Sequence, residues 1–131
     1  MDRELLRRCE QLADEGTVIV ATADGDGLPH VAAAGKLDVA DGGRVTVTEW
    51  FCPGTVSNVQ ENSRISVVAW NPAQDDGAQL LGTVTNVRDV AMLDGYAPDE
   101  KGDIPQTENE LVIEVESVLK FTQSPHTDEE K

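Results

Sequence analysis

The chain has 131 residues, with 25 acidic against 10 basic side chains, a formal net charge of −15, 39% apolar residues and 4% aromatic ones. That length suits one domain with a single modest core. The charge balance leaves almost nothing with which to build the basic face that nucleic acid or an anionic membrane surface would need. No run approaches the roughly 18 consecutive apolar residues of a membrane span. The charged start MDRELLRRCEQLADE reads as a helix rather than a signal peptide, and the expected location is cytoplasmic. The acidic excess describes a soluble, self-repelling surface and equally one adapted to high salt.

From Asp2 to Glu15, Leu5, Leu6, Cys9, Leu12 and Ala13 share one helical face, and Gly16 is a natural stop. TVIVATA, Thr17 to Ala23, is β-branched and apolar and predicts a first strand. ADGDGLP, Ala23 to Pro29, holds two Asp-Gly pairs and a proline and predicts a tight turn. HVAAAGKLDVA, His30 to Ala40, is a second strand whose small central residues allow a close approach to the backbone. Asp41, Gly42 and Gly43 form a hairpin turn into the third strand, RVTVTE.

Trp50 to Thr55 is an irregular loop, and Val56 and Val59 predict a short helix within Thr55 to Ser63. Arg64 to Trp70 is a fourth strand and Gln79 to Asp89 a fifth. Met92 to Glu110 is a weakly patterned excursion, with a short helix near Val90 to Leu93, and Glu110 to Phe121 alternates as a sixth strand. Residues 1–122 make one domain and 123–131 a flexible acidic tail. The expectation is a mainly β protein: a six-stranded antiparallel barrel with an N-terminal helix and a short helix between strands 3 and 4.

Cys9 and Cys52 are too few and too far apart for a disulfide framework, and His30 and His126 form no cluster that predicts a metal site.

Three segments carry a family likeness: ATADGDGLPHVAAAGKLDV, RVTVTEWF and TVSNVQENSRISVVAW, the last a Thr-x-x-Asn-Val-x-x-Asn-x-Arg run into a strand that ends in Trp. In this order the chain resembles the pyridoxamine 5'-phosphate oxidase-like, FMN-binding split-barrel family. The resemblance implies a split β-barrel homodimer with FMN in a groove at its interface. It places Ala33, Ala34, Gly35 and Lys36 beside the cofactor, and Thr48, Glu49, Trp50 and Phe51 along the isoalloxazine edge and ribityl chain. Thr55 and Asn58 would face the phosphate, with Lys36 adding a charge, and the partner subunit would close the groove through Trp70 and the Gln79 to Gly82 strand start.

The likeness further implies an FMN-binding flavoprotein, an oxidoreductase or electron-transfer protein whose electrons come from a nicotinamide or a protein donor. No histidine falls among these residues, so no protein acid or base is assigned. Basic residues for clamping a second phosphate are not apparent, so oxidation of pyridoxamine phosphate is not implied by the family name. Two positions depart from the family pattern. Gly54 and Val56 flank Thr55 where a Lys or Arg is common, and Glu49 puts a carboxylate among the cofactor contacts. They support the alternative, a split-barrel dimer that has lost flavin and serves as a binding or structural module. A barrel using a deazaflavin or haem is a third reading, with His30 as the axial candidate for haem.

Overall fold

The computed structural model describes residues 1–50, 53–90 and 108–124. Asp2 opens the first helix, its carboxylate accepting the Leu5 N–H at 3.0 Å, which satisfies one of the donors that a helix start leaves unpaired. This helix, α1 (Arg3–Glu15), is followed by β1 (Thr17–Ala23), β2 (Pro29–Ala34), β3 (Lys36–Ala40), a 3₁₀ turn at Asp41–Gly43 and β4 (Arg44–Trp50). Then come α2 (Pro53–Glu61), β5 (Arg64–Asn71), β6 (Asp76–Val90) and β7 (Glu108–Lys120). Gly42 and Gly43 take φ of 78° and 79°, the left-handed region that lets so short a connection reverse the chain.

Antiparallel pairing joins the strands into one sheet in the order β2-β1-β5-β6-β7-β4-β3. Its two end strands, β2 and β3, are consecutive in the chain with Gly35 alone between them, so the sheet must curl until its ends meet. At that seam the Gly35 N–H donates to the Thr48 carbonyl at 2.7 Å.

The fold is mainly β, as the sequence predicts, but it has seven strands among the described residues rather than six. His30 to Ala40 is not one strand: β2 pairs with β1, and β3 pairs with β4. The cause lies in the side-chain alternation. Ala34 packs on the core opposite Val18, and Leu37 is buried. Inward positions three residues apart do not fit one regular strand, whose inward positions are two apart. Alternation slips by one at Gly35, and there the chain passes from one end of the sheet to the other. The short helix therefore falls between the fourth and fifth strands.

The interior is filled by inward positions of the strands, with Val20, Val45, Val47, Val67, Leu80, Leu111, Ile113 and Val118 fully buried. Helix α1 lays Leu5, Leu6, Cys9 and Leu12 on this core and packs against β3, β5 and β6. Its Glu10 carboxylate also accepts the Val39 N–H at 2.6 Å, which covers a donor on the edge of β3. Burial pushes the Cys9 thiol up to about 12, against the opposing pull of Arg8, so this cysteine is a core residue and not a nucleophile. Register shifts at Leu81/Gly82 and Val84/Asn86 bend the long β6–β7 ladder.

β6 runs one residue past the expected end of the fifth strand, to Val90, and β7 begins at Glu108, so the expected excursion from Met92 to Glu110 is shorter at its far end. The helix expected near Val90 to Leu93 starts on a strand residue, and its remainder lies outside the described residues, as do 125–131 of the expected tail. The start of that tail is held: Asp75 accepts the N–H groups of Gln123 at 2.5 Å and Ser124 at 3.0 Å.

Leu80→Ala is expected to cost about 2–5 kcal/mol through lost burial and the cavity left behind. It should appear as a lower urea midpoint at unchanged slope. Asp75 gives a pH test. The Gln123 N–H, with Ser124 assisting, holds its carboxyl below the ordinary value of 3.8. A depressed carboxyl adds stability that is fully present above the ordinary value and is lost as pH falls through the folded one. Asp75→Asn should therefore lower the Tm at pH 7, and its deficit should shrink as melts are run below pH 3.8.

Candidate functional site

Helix α2 organises the candidate site, and three contacts set its position. Midway along it, Asn58 Nδ2 donates to Thr22 Oγ1 on β1 at 3.1 Å. Near its end, Glu61 accepts the Gly25 N–H at 2.8 Å, which ties the helix to the β1–β2 turn. At its start, Gly54 lies against His30 of β2: a Cβ built there would stand 3.5 Å from both Cε1 and Nε2 of the ring. Asn62 then accepts the Arg64 N–H at 3.2 Å and turns the chain into β5, which is the local role of the Asn-x-Arg pattern.

The residues expected at a cofactor fall into two groups. At the seam, Ala33, Ala34, Gly35 and Lys36 run beside the end of β4, with Lys36 opposite Thr48. Ala33 is exposed on the outer face and Ala34 packs inward, so a ligand meets the side chain of one or the other. Lys36 is 70% exposed and lies 4.0 Å from Asp38. Glu49 and Trp50 pair through their backbones with Asn109 and Glu108, and Phe51 lies outside the described residues.

The second group is at α2. Thr55 is completely buried, and its hydroxyl has no hydrogen-bond partner among the described residues. Asn58 commits an amide N–H to Thr22 and thereby holds the helix on the sheet.

Lys36 is six residues along the chain from His30, up to roughly 20 Å at about 3.3 Å per extended residue. The chain brings the first turn of α2 to His30 rather than to Lys36. An extended ligand with a phosphate at one end and a flat ring at the other would be served by such a pair of places.

The donor set at α2 fits a phosphate. The first N–H groups of a helix have no intrahelical partner and carry the positive end of its dipole. The unpartnered hydroxyl of Thr55 adds a donor at the same turn. An unmade hydrogen bond on a buried hydroxyl costs about 1–3 kcal/mol.

His30 is the neighbour that sequence reasoning left out of this group. It is 24 positions from Gly54 and sits in a run of small apolar residues. Its one sequence signal is that it is a polar residue at the start of a strand. A groove of about 650 Å³ between α1 and β7, lined in part by Arg7, Arg8 and Lys120, shares none of the site residues.

A sequence model described as pyridoxamine 5'-phosphate oxidase matches residues 7–121, which run from within α1 to just past β7. No curated protein matches in sequence. In structure the chain is similar to an FMN-binding protein from Syntrophomonas wolfei, with a TM-score of 0.69 at 18% identity over 97% of this chain and 91% of that one. It is similar to a general stress protein 26-related protein of the pyridoxinephosphate oxidase family from Clostridium acetobutylicum (TM-score 0.65, 18% identity, 99% and 96% covered). It is also similar to HupZ of Group A Streptococcus (TM-score 0.63, 18% identity, 97% and 98% covered). At these identities the structural likeness is one of fold. The sequence match spans every strand of the curled sheet, and on that ground the chain belongs to the pyridoxamine 5'-phosphate oxidase family.

Proposed function

We propose that this protein is an FMN-binding flavoprotein that works as a homodimer in oxidoreduction or electron transfer. The observation that carries the reading is the buried, unpartnered Thr55 hydroxyl in the first turn of α2, a phosphate donor set within a family fold. The similar protein from Syntrophomonas wolfei is itself an FMN-binding protein. When bound, the flavin supplies the electron chemistry, and the protein binds and orients it. Thr55 and the α2 N–H groups hold the phosphate end. Gly35, Lys36 and Thr48 flank the other end at the seam, with Ala33, Ala34, Glu49 and Trp50 continuing that side. Asn58 positions the helix through Thr22.

The dimer reading rests on the outer face of the sheet. Ile19, Val68 and Leu119 lie across neighbouring strands in one row, joined by Ala33 and Gln79. The next row holds Val31, Ala21, Ser66, Leu81 and Ser117. Val31 is 63% exposed and Leu28, just before β2, is 68% exposed. A β-branched residue so open on an edge strand is suited to cover by a second copy. Electrons would enter from a nicotinamide or a protein donor.

The direct test is the visible spectrum of the purified protein before and after incubation with excess FMN and removal of the unbound cofactor, with light scattering for mass. A stoichiometric flavin spectrum on a dimer is expected. A protein that stays colourless would overturn the reading in favour of a flavin-free barrel module. Thr55→Val is expected to raise the stability of the ligand-free protein by about 1 kcal/mol, because it removes an unsatisfied buried hydroxyl. The same change should reduce FMN retention, measured by fluorescence titration.

A further inference from the structure

The outer surface of the curled sheet has two unlike parts. One carries charge, and each of its cations stands beside a carboxylate. Lys36 is 4.0 Å from Asp38, Arg44 is 3.3 Å from Glu114, Arg64 is 3.9 Å from Glu116, and Arg88 is bonded to Glu110. The other part crosses β2, β1, β5 and the adjoining stretches of β6 and β7. Its two rows, one through Ile19, Val68 and Leu119 and the next through Val31, Ala21 and Leu81, contain no charged side chain. Within them Gln79 Nε2 donates to Ser66 Oγ at 2.8 Å, so these two polar groups can be covered while still hydrogen-bonded. In a chain with 27% charged residues, that neutral field is the exception.

We propose that ionic strength controls the pairing of this protein: two copies meet on the neutral rows, and salt supplies the screening that lets two chains of net charge −15 approach. This rests on the homodimer reading above and adds its regulation. In a twofold contact a patch meets itself. On the charged part that would bring Glu110, Glu114 and Glu116 near their own images. On the neutral rows it brings no like charges together.

Attraction and repulsion then have different sources. Burial of Val31, Ile19, Val68 and Leu81 draws the copies together without any Coulomb term. The rows offer no cation to a partner's carboxylates, so the contact holds no charge attraction for salt to weaken. Repulsion comes from the whole acidic body, and the Debye length sets its reach. That length is roughly 30 Å at 0.01 M salt, about 10 Å at 0.1 M and about 3 Å at 1 M. At the lowest level carboxylates well away from the contact still repel; at the highest only close neighbours do. Salt therefore tightens this dimer, the reverse of its effect on partners drawn together by opposite charge.

The test is the dimer dissociation constant of the full chain, by analytical ultracentrifugation at those three salt levels in KCl at pH 7. The wild type is expected to tighten by on the order of tenfold from the lowest level to the middle one, and again at the highest. Asp14 on α1 and Asp41 in the β3–β4 turn are exposed, off the rows, and without a hydrogen bond or ion pair among the described residues. Asp14→Lys combined with Asp41→Lys should pair more tightly than the wild type at the lowest level and equally at the highest. Val31→Glu puts a charge into the neutral field at a residue that is 63% exposed. It should weaken pairing at every level while its melting curve shows an intact fold.

A dimer whose affinity is flat or falls with salt overturns the salt control and leaves the homodimer standing. So does a double variant that tracks the wild type at the lowest level, because salt would then act through apolar burial alone. A dimer indifferent to Val31→Glu uses another surface, which overturns the neutral rows as the contact. A chain that stays monomeric at all three levels overturns this inference and the homodimer reading together.

Discussion

The passage of one chain segment from one end of the sheet to the other is the constraint on which the rest of this structure depends. β2 and β3 are separated by a single glycine and yet occupy opposite ends of a seven-stranded sheet. No flat sheet can meet that condition. Curling brings inward-facing Val, Leu and Ile residues of β1 and of β3 to β7 into one interior, and hydrophobic burial there is the dominant favourable term. The same curl brings the end of β4 beside Gly35, where the Gly35–Thr48 hydrogen bond closes the seam.

Closure also determines where chemistry can happen. With the interior filled, polar groups gather at the surface, among them those at the seam and where α2 crosses β1 and β2. Asn58 and Glu61 use their side chains to dock that helix, so its first turn has a defined place over His30. That first turn holds the buried Thr55 hydroxyl, unpartnered among the described residues, while the seam is a strip of small residues with a lysine and a threonine. These are two different surfaces, suited to the two ends of one extended ligand.

A net charge of −15 would repel a phosphate if every carboxylate acted at full strength, but the magnitudes show that few of them do. Surface charges beyond roughly 8 Å are largely screened at physiological salt, whereas unit charges about 4 Å apart interact by ~4 kcal/mol at a partly exposed site. The few groups at the first turn of α2 therefore decide the outcome. There the helix contributes partial positive charge and donors. An acidic surface and an anion site can coexist when the local donors outweigh distant carboxylates.

Much of this was legible in the residues themselves. The apolar stripe of α1, the β-branched run of β1 with its observed bounds, the Gly42–Gly43 turn, the valine pair of α2 and the alternation of β7 all arise from local periodicity and turn chemistry, which need only neighbours along the chain. The family likeness rested on those same segments. The break at Gly35 left a trace, because Ala34 and Leu37 are both inward and three apart, yet that trace has meaning only once the two faces are known. The approach of His30 to Gly54 left none. It depends on the β1–β2 register, which sets His30 opposite Thr22, and on Asn58 reaching that same threonine from α2. Local pattern determined which segments are strands and helices; contacts between residues distant in sequence, decided by register and docking, determined which side chains share a site.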